Sequence, residues 1–170
     1  MSFSTNKPNL TEGGVYNTNE LNELGVTDGL VNYWPLNGDA KDYGFNGNDG
    51  TVTGAVVSSG LKELAYDFAY TTDKIEIGAI GNLTNSFTLS CIFNSNNIAN
   101  RQNLISRNGP YFLGLSSSKI WSGVYAGSTW VWPAGGTTLL SNTWYHACLT
   151  YDGVNAKVYV NAVLQSSLAQ

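Results

Sequence analysis

The chain has 170 residues, of which 42% are hydrophobic and only 12% charged, and it carries a net charge of −4. That balance excludes a charge-driven disordered chain and a coiled coil, makes a nucleic-acid footprint unexpected, and no window approaches the run of about 20 apolar residues that a membrane span needs. The room left by charge is filled by 19 glycines and 20 asparagines, residues of turns rather than helices, so composition points to an all-β protein.

Residues 1–28 are polar and rich in Asn and Thr, with Leu10, Val15, Tyr16, Leu21 and Leu24 spaced along them. They read as an extended arm with a short helix near 18–24, a docking segment rather than a plain leader. Residues 1–7 (MSFSTNK) hold no apolar run, so no secretory signal is expected. From residue 29 onward short strands and turns alternate. GLVNYWPL (29–36) reads as the opening strand and NGDAKDYGFNGNDG (37–50) as turns. GTVTGAVVS (50–58) reads as a strand pair, followed by LAYDFAY (64–70) and KIEIG (74–78). In SFTLSCIFN (86–94), Phe87, Leu89, Cys91 and Phe93 share one face, the period of a half-buried strand. NLISR (103–107), YFLGLS (111–116), KIWSGVYA (119–126), STWVWP (128–133) and TTLL (137–140) continue the pattern. TWYHACLTYDG (143–153) and AKVYVNAVLQS (156–166) form the last pair, joined at Asp152-Gly153. Turn signals at this regular spacing argue for a sandwich or barrel.

Four stretches carry a family resemblance: GLVNYWPLNGDAKDYGFNGNDGTVTGA, LAYDFAYTTDKIEI, SFTLSCIFN and NTWYHACLTYDGVNAKVYVNAVL. In order and spacing, residues 29–170 resemble the laminin G-like, pentraxin-like branch of the concanavalin A-like jelly rolls. The resemblance implies a β-sandwich preceded by the arm. It departs at Ile92, where the family has Trp, and at Ala162, where it has Gly. The family also adds one or two closing strands, so residues 29–170 are expected to lack them: either the chain is a piece of a longer protein, the favoured reading, or a neighbouring chain supplies the missing strand. Pentraxins bridge the two strands that carry Cys91 and Cys148, but the first cysteine aligns with Ser90. The one-residue offset turns Cys91 to the other face, so free thiols are expected.

Two candidate sites stand out. Asp39, Asp42, Asn46, Asn48 and Asp49 crowd one turn with oxygen ligands that suit calcium; the simpler reading is that they close turns by bonding their own backbone. Trp121, Tyr125, Trp130 and Trp132 lie among Gly and Ser. They either stack on sugar rings, as aromatics of jelly rolls do, or fill the core from one side of a strand. His146, the single histidine, reads as a packed strand residue with no nucleophile beside it. The Glu-x-Asp-x-Glu pattern of glucanases is absent, and Glu76 has Lys74 rather than a carboxylate two residues away, so no enzyme is expected. The reading is a non-enzymatic virion component, a phage tail fibre or decoration protein with a glycan-binding domain. It would assemble with itself or other virion subunits, as a trimer in a fibre, and meet a host surface glycan. The alternative is a carbohydrate- or protein-binding module of a bacterial surface or cytosolic protein.

Overall fold

The structure, a computed structural model, describes residues 29–78, 80, 83, 85–107 and 109–170; the arm and short helix expected at 1–28 lie outside the described residues. The chain divides into two compact units, residues 1–81 and 82–170, a division that falls within the span expected as one jelly roll.

In the first unit four short strands nest as two antiparallel pairs. They are β1 (Gly50–Thr53), β2 (Val56–Ser59), β3 (Leu64–Asp67) and β4 (Lys74–Ile77). The segment 50–58 supplies two strands, as expected, but they do not pair with each other: β1 pairs with β4 and β2 with β3. Residues 29–36 form no strand, contrary to expectation. Pro35 has no N–H for a ladder, Leu36 has a left-handed φ of 56°, and both backbone groups of Tyr33 are already engaged. Its N–H donates to Asp42 Oδ1 at 2.9 Å and its carbonyl accepts from the Tyr43 N–H at 2.7 Å.

The second unit holds β5 (Phe87–Asn94), β6 (Gln102–Arg107), β7 (Tyr111–Ser116), β8 (Lys119–Ala126), β9 (Thr129–Val131), β10 (Trp144–Tyr151), β11 (Asn155–Val160) and β12 (Val163–Ala169). They form two antiparallel four-stranded sheets, ordered β12-β11-β10-β5 and β6-β7-β8-β9, and no described residue is helical. The fold is the expected all-β antiparallel sandwich. Each inner face contributes every second residue to one core. Leu89, Ala147, Leu149, Ala156 and Val158 come from the first sheet, and Tyr111, Leu113, Leu115, Ile120 and Val124 from the second. Strands β10 and β11 alternate half-buried and buried along their whole lengths.

Residues 137–140 are a pinned loop, not the expected strand. The Leu139 N–H donates to the Ser118 carbonyl at 2.8 Å, the Leu139 side chain is buried, and the Thr137 N–H and hydroxyl both donate to Gln165 Oε1 at 2.8 Å. Residues 156–166, expected as one strand, are split by a tight hairpin at Asn161 (φ 49°) and Ala162 (φ 64°). Two consecutive left-handed residues match the twist of the flanking strands, and Asn161 suits the site because its Oδ1 accepts the His146 N–H at 2.9 Å. Alanine does not: the left-handed region costs an L-residue about 1–2 kcal/mol. After allowing for the freer unfolded chain of glycine, Ala162→Gly should raise the unfolding free energy by about 0.5–1 kcal/mol. Urea denaturation checks this, and a loss of stability would contradict the strained turn.

Candidate functional site

The sheet β6-β7-β8-β9 has an inner face in the core and an outer face away from it. On β7, Tyr111, Leu113 and Leu115 point inward, leaving Phe112 and Gly114 outward. On β8, Ile120, Ser122 and Val124 point inward, leaving Lys119, Trp121, Gly123 and Tyr125 outward. Val131 of β9 is buried, so Trp130 and Trp132 flank it on the outside. All four aromatics singled out in the sequence therefore come together on one outer face. The alternative that Trp130 and Trp132 fill the core does not hold, because Trp132 is 45% exposed, Trp130 is half-buried, and neither belongs to the core.

The rings form a connected cluster. Trp130 and Trp132 stack at 4.8 Å between centroids and 24° between planes, and Trp132 stacks on Trp121 at 5.9 Å and 18°. Tyr125 meets Trp130 at 5.4 Å. Phe112 lies beneath, 4.0 Å from Trp121 and 5.7 Å from Trp132. One glycine makes this possible. Gly123 is the cross-strand partner of Phe112, and a Cβ on it would lie 2.5 Å from the Phe112 ring and 3.1 Å from the Trp130 ring. Both rings thus lie over a position with no side chain. From sequence, adjacent Tyr111 and Phe112 must face opposite ways in a strand, and Phe112 is the outward one; sequence reasoning missed Arg101, whose guanidinium carbon sits 3.7 Å from the centroid of the Trp121 ring. Tyr125 also borders an open recess of about 670 Å³ at the end of the sandwich, lined with Pro110, Asn85, Tyr151, Asp152 and Gln170. There the Tyr151 hydroxyl lies 2.7 Å from Gln170 Oε1.

The acidic turn is organised around Asp42. Its Oδ1 accepts from the N–H groups of Tyr33 and Gly44, its Oδ2 from the Asn48 N–H at 3.0 Å and the Asn32 amide at 2.5 Å. Burial pushes the Asp42 carboxyl up, but the four hydrogen bonds outweigh it and hold the group below the ordinary carboxylate value. Asp49 Oδ1 accepts the Asp42 N–H, Asp39 accepts from the Lys41 N–H and the Tyr43 hydroxyl, and Asn46 donates to the Val31 carbonyl. The Asn48 carbonyl accepts from the Trp34 ring N–H. The five residues proposed as calcium ligands are thus gathered in one loop with their polar groups turned onto it. Among the described residues no group of three acidic, histidine or cysteine side chains converges as a metal cage.

Sequence reasoning placed no nucleophile beside His146, yet Ser90 Oγ lies 2.8 Å from its Nε2. The pair bridges β5 and β10 on the outer face of their sheet, beside Cys148, which stands opposite Ser90. Cys91 stands opposite the buried Ala147, so the two sulfurs point to opposite faces and both thiols are free. Burial pushes both above the ordinary thiol value. Glu76 is paired with Lys74 at 2.9 Å on the exposed face of β4.

An antiparallel sandwich with an aromatic cluster outside its core defines the class of the protein. The chain belongs to the concanavalin A-like lectin/glucanases superfamily: a laminin G family model of that superfamily matches residues 69–170, so that residues 29–68 of the expected span lie outside the match. No curated protein matches the sequence. Two solved structures share the fold. The binding domain of Paraclostridial Mosquitocidal Protein 1 aligns with a TM-score of 0.61 at 16% identity over 76% of this chain. That alignment covers 37% of the mosquitocidal domain, so the chain spans little more than a third of its length. Domain 4 of AbnA, a GH43 extracellular arabinanase from Geobacillus stearothermophilus solved with arabinotriose, also aligns with a TM-score of 0.61, at 19% identity over 81% of this chain and 73% of that one.

Proposed function

We propose that the sandwich is a non-enzymatic glycan-binding module whose ligand stacks on the outer aromatic face. The observation that carries this is the gathering of Trp121, Tyr125, Trp130 and Trp132 outside the core, two of them about half exposed. Contiguous exposed apolar surface of this kind marks a binding site. Flat aromatic rings offer apolar faces that fit the C–H faces of sugars. The likeness to a domain solved with arabinotriose is in keeping with this reading. Catalysis is not part of it, because glycoside hydrolysis needs two carboxylates and residues 82–170 contain one, Asp152. The N–H groups of Asn155 and Val154, which donate to Asp152, hold it below the ordinary value, opposite to what a general acid needs.

Trp132→Ala should weaken glycan binding about tenfold while costing the fold only about 1–2 kcal/mol for its lost ring contacts, so that the variant stays folded. Isothermal titration against the best binder of a glycan array, with arabino-oligosaccharides included, measures it. Unchanged affinity, or a folded protein that binds no glycan, would refute the reading.

The carrier of the module we take to be a virion structural component, such as a tail fibre or decoration protein. One observation favours assembly with further copies or subunits: β12, an edge strand, exposes Val163, Leu164 and Leu168 at 62%, 51% and 42%. Exposed apolar edges of this kind invite strand pairing. Sedimentation should therefore show an oligomer, and Leu164→Lys should shift it toward the monomer; a monomeric wild type would remove this support.

A further inference from the structure

We infer that the glycan held on the aromatic face is anionic, and that Arg101, seated on Trp121, receives its acidic group. This rests on the glycan-binding reading and adds the ligand class. The charge distribution comes first. Residues 82–170 contain four cations, Arg101, Arg107, Lys119 and Lys157, against a single carboxylate, although the chain as a whole is at −4. The excess of acid lies entirely in residues 1–81, with eleven carboxylates and four lysines. Asp152 is held in the β10–β11 turn by the Val154 and Asn155 N–H groups at 2.9 and 2.6 Å. Strands β6 to β9 carry no carboxylate at all.

Geometry then singles out Arg101. Its guanidinium lies 3.7 Å over Trp121, so this ring serves as a seat for the cation and leaves Trp132 and Tyr125 as the exposed surfaces for sugar. A guanidinium presents its N–H groups as a planar fork that matches a carboxylate or sulfate. The side chain is exposed, and among the described residues no carboxylate pairs with it. The neighbourhood is arranged to suit. Lys119 lies two residues from Trp121 on the same face, about 7 Å away along the strand. Asn103, Gly114 and Trp121 stand in one row across β6, β7 and β8, and Gly114 interposes no side chain. A cation held beside a stacking surface recognises a ring and an acidic substituent together, and a neutral glycan would leave the cation unused.

The test uses an array of uronate-, sialate- and sulfate-bearing glycans with their neutral counterparts, and a single-stranded oligonucleotide as a control polyanion. The best binder is expected to be an acidic glycan. Its affinity should fall with rising salt, fall at least tenfold in Arg101→Gln, and recover only in part in Arg101→Lys, which restores the charge without the fork. A methyl-esterified or desulfated version of the same glycan should bind the wild type as weakly as the acidic form binds Arg101→Gln. Preference for carboxylate or sulfate identifies the acidic group, and either supports the inference. Binding of neutral glycans alone, indifferent to Arg101→Gln but lost in Trp132→Ala, overturns the anionic class and leaves the module reading intact. Preference for the oligonucleotide overturns the glycan assignment, and no binding to any probe overturns both.

Discussion

Replacing Leu149 by alanine should lower the unfolding free energy by about 3–5 kcal/mol, near the top of the range for a buried leucine. Leu149 sits at the centre of β10 with no exposed surface. Its neighbours on the inner face are Leu89 on β5 and Val158 on β11, and the opposing sheet closes the site from above. Strands on both sides are hydrogen-bonded to β10, so the backbone cannot move in to fill the space, and a cavity remains. Phe87, on the same inner face, is a useful contrast. It packs 5.1 Å from Tyr111 and 5.8 Å from Tyr151, but it lies at the end of its strand and is only partly buried. Phe87→Ala should therefore fall below Leu149→Ala, at about 2–3 kcal/mol. Equilibrium urea unfolding of both variants measures this, and a reversed order would show that the core is not centred on β10.

The sandwich was readable where local periodicity and tertiary burial agree. In 86–94, 111–116, 119–126 and 143–151 every second side chain enters the core, and the expected and observed strands nearly coincide. Elsewhere a polar hub or a turn decided. Residues 29–36 alternate like a strand, yet the Asp42 carboxylate, nine residues from Tyr33, captures their backbone, and sequence alternation carries no trace of that. The hairpin at Asn161-Ala162 was legible only through the family resemblance, because its second position carries alanine where glycine would announce the turn.

The aromatic site was half legible. A spacing of two puts Trp130 and Trp132 on one face of a strand but does not say which face. The buried neighbours Val124 and Val131, paired across β8 and β9, decide that, and the pairing is set by register. Arg101 escaped because its contact with Trp121 spans three strands of a sheet. The asymmetry of charge about residue 82 was the signal that could have drawn attention to it.

The thiols give the last prediction, a loss of stability in alkali that is specific to Cys91. Burial on the inner face, with a smaller contribution from Cys148, pushes the Cys91 thiol from an ordinary 9.0 to about 12. The protonated, neutral form is the one the core accommodates. The unfolded chain releases its proton near the ordinary value, and the folded chain holds it until about 12. Between these limits the native state binds more protons than the unfolded state, so stability falls as pH rises. The contribution is fully present below pH 9 and is lost on the way to pH 12. At one pKa unit per 1.36 kcal/mol, wild type should lose about 2–3 kcal/mol more than Cys91→Ala between pH 8.5 and 11. Tyrosines and lysines titrate in both proteins, so the difference isolates the thiol. Cys148 makes a suitable control: it too is half-buried but stands on the opposite face of the sheet, where burial also pushes its thiol up. Urea midpoints at the two pH values measure the difference. Parallel pH dependence in wild type and Cys91→Ala would mean that the half-buried Cys91 thiol is not held above its ordinary value.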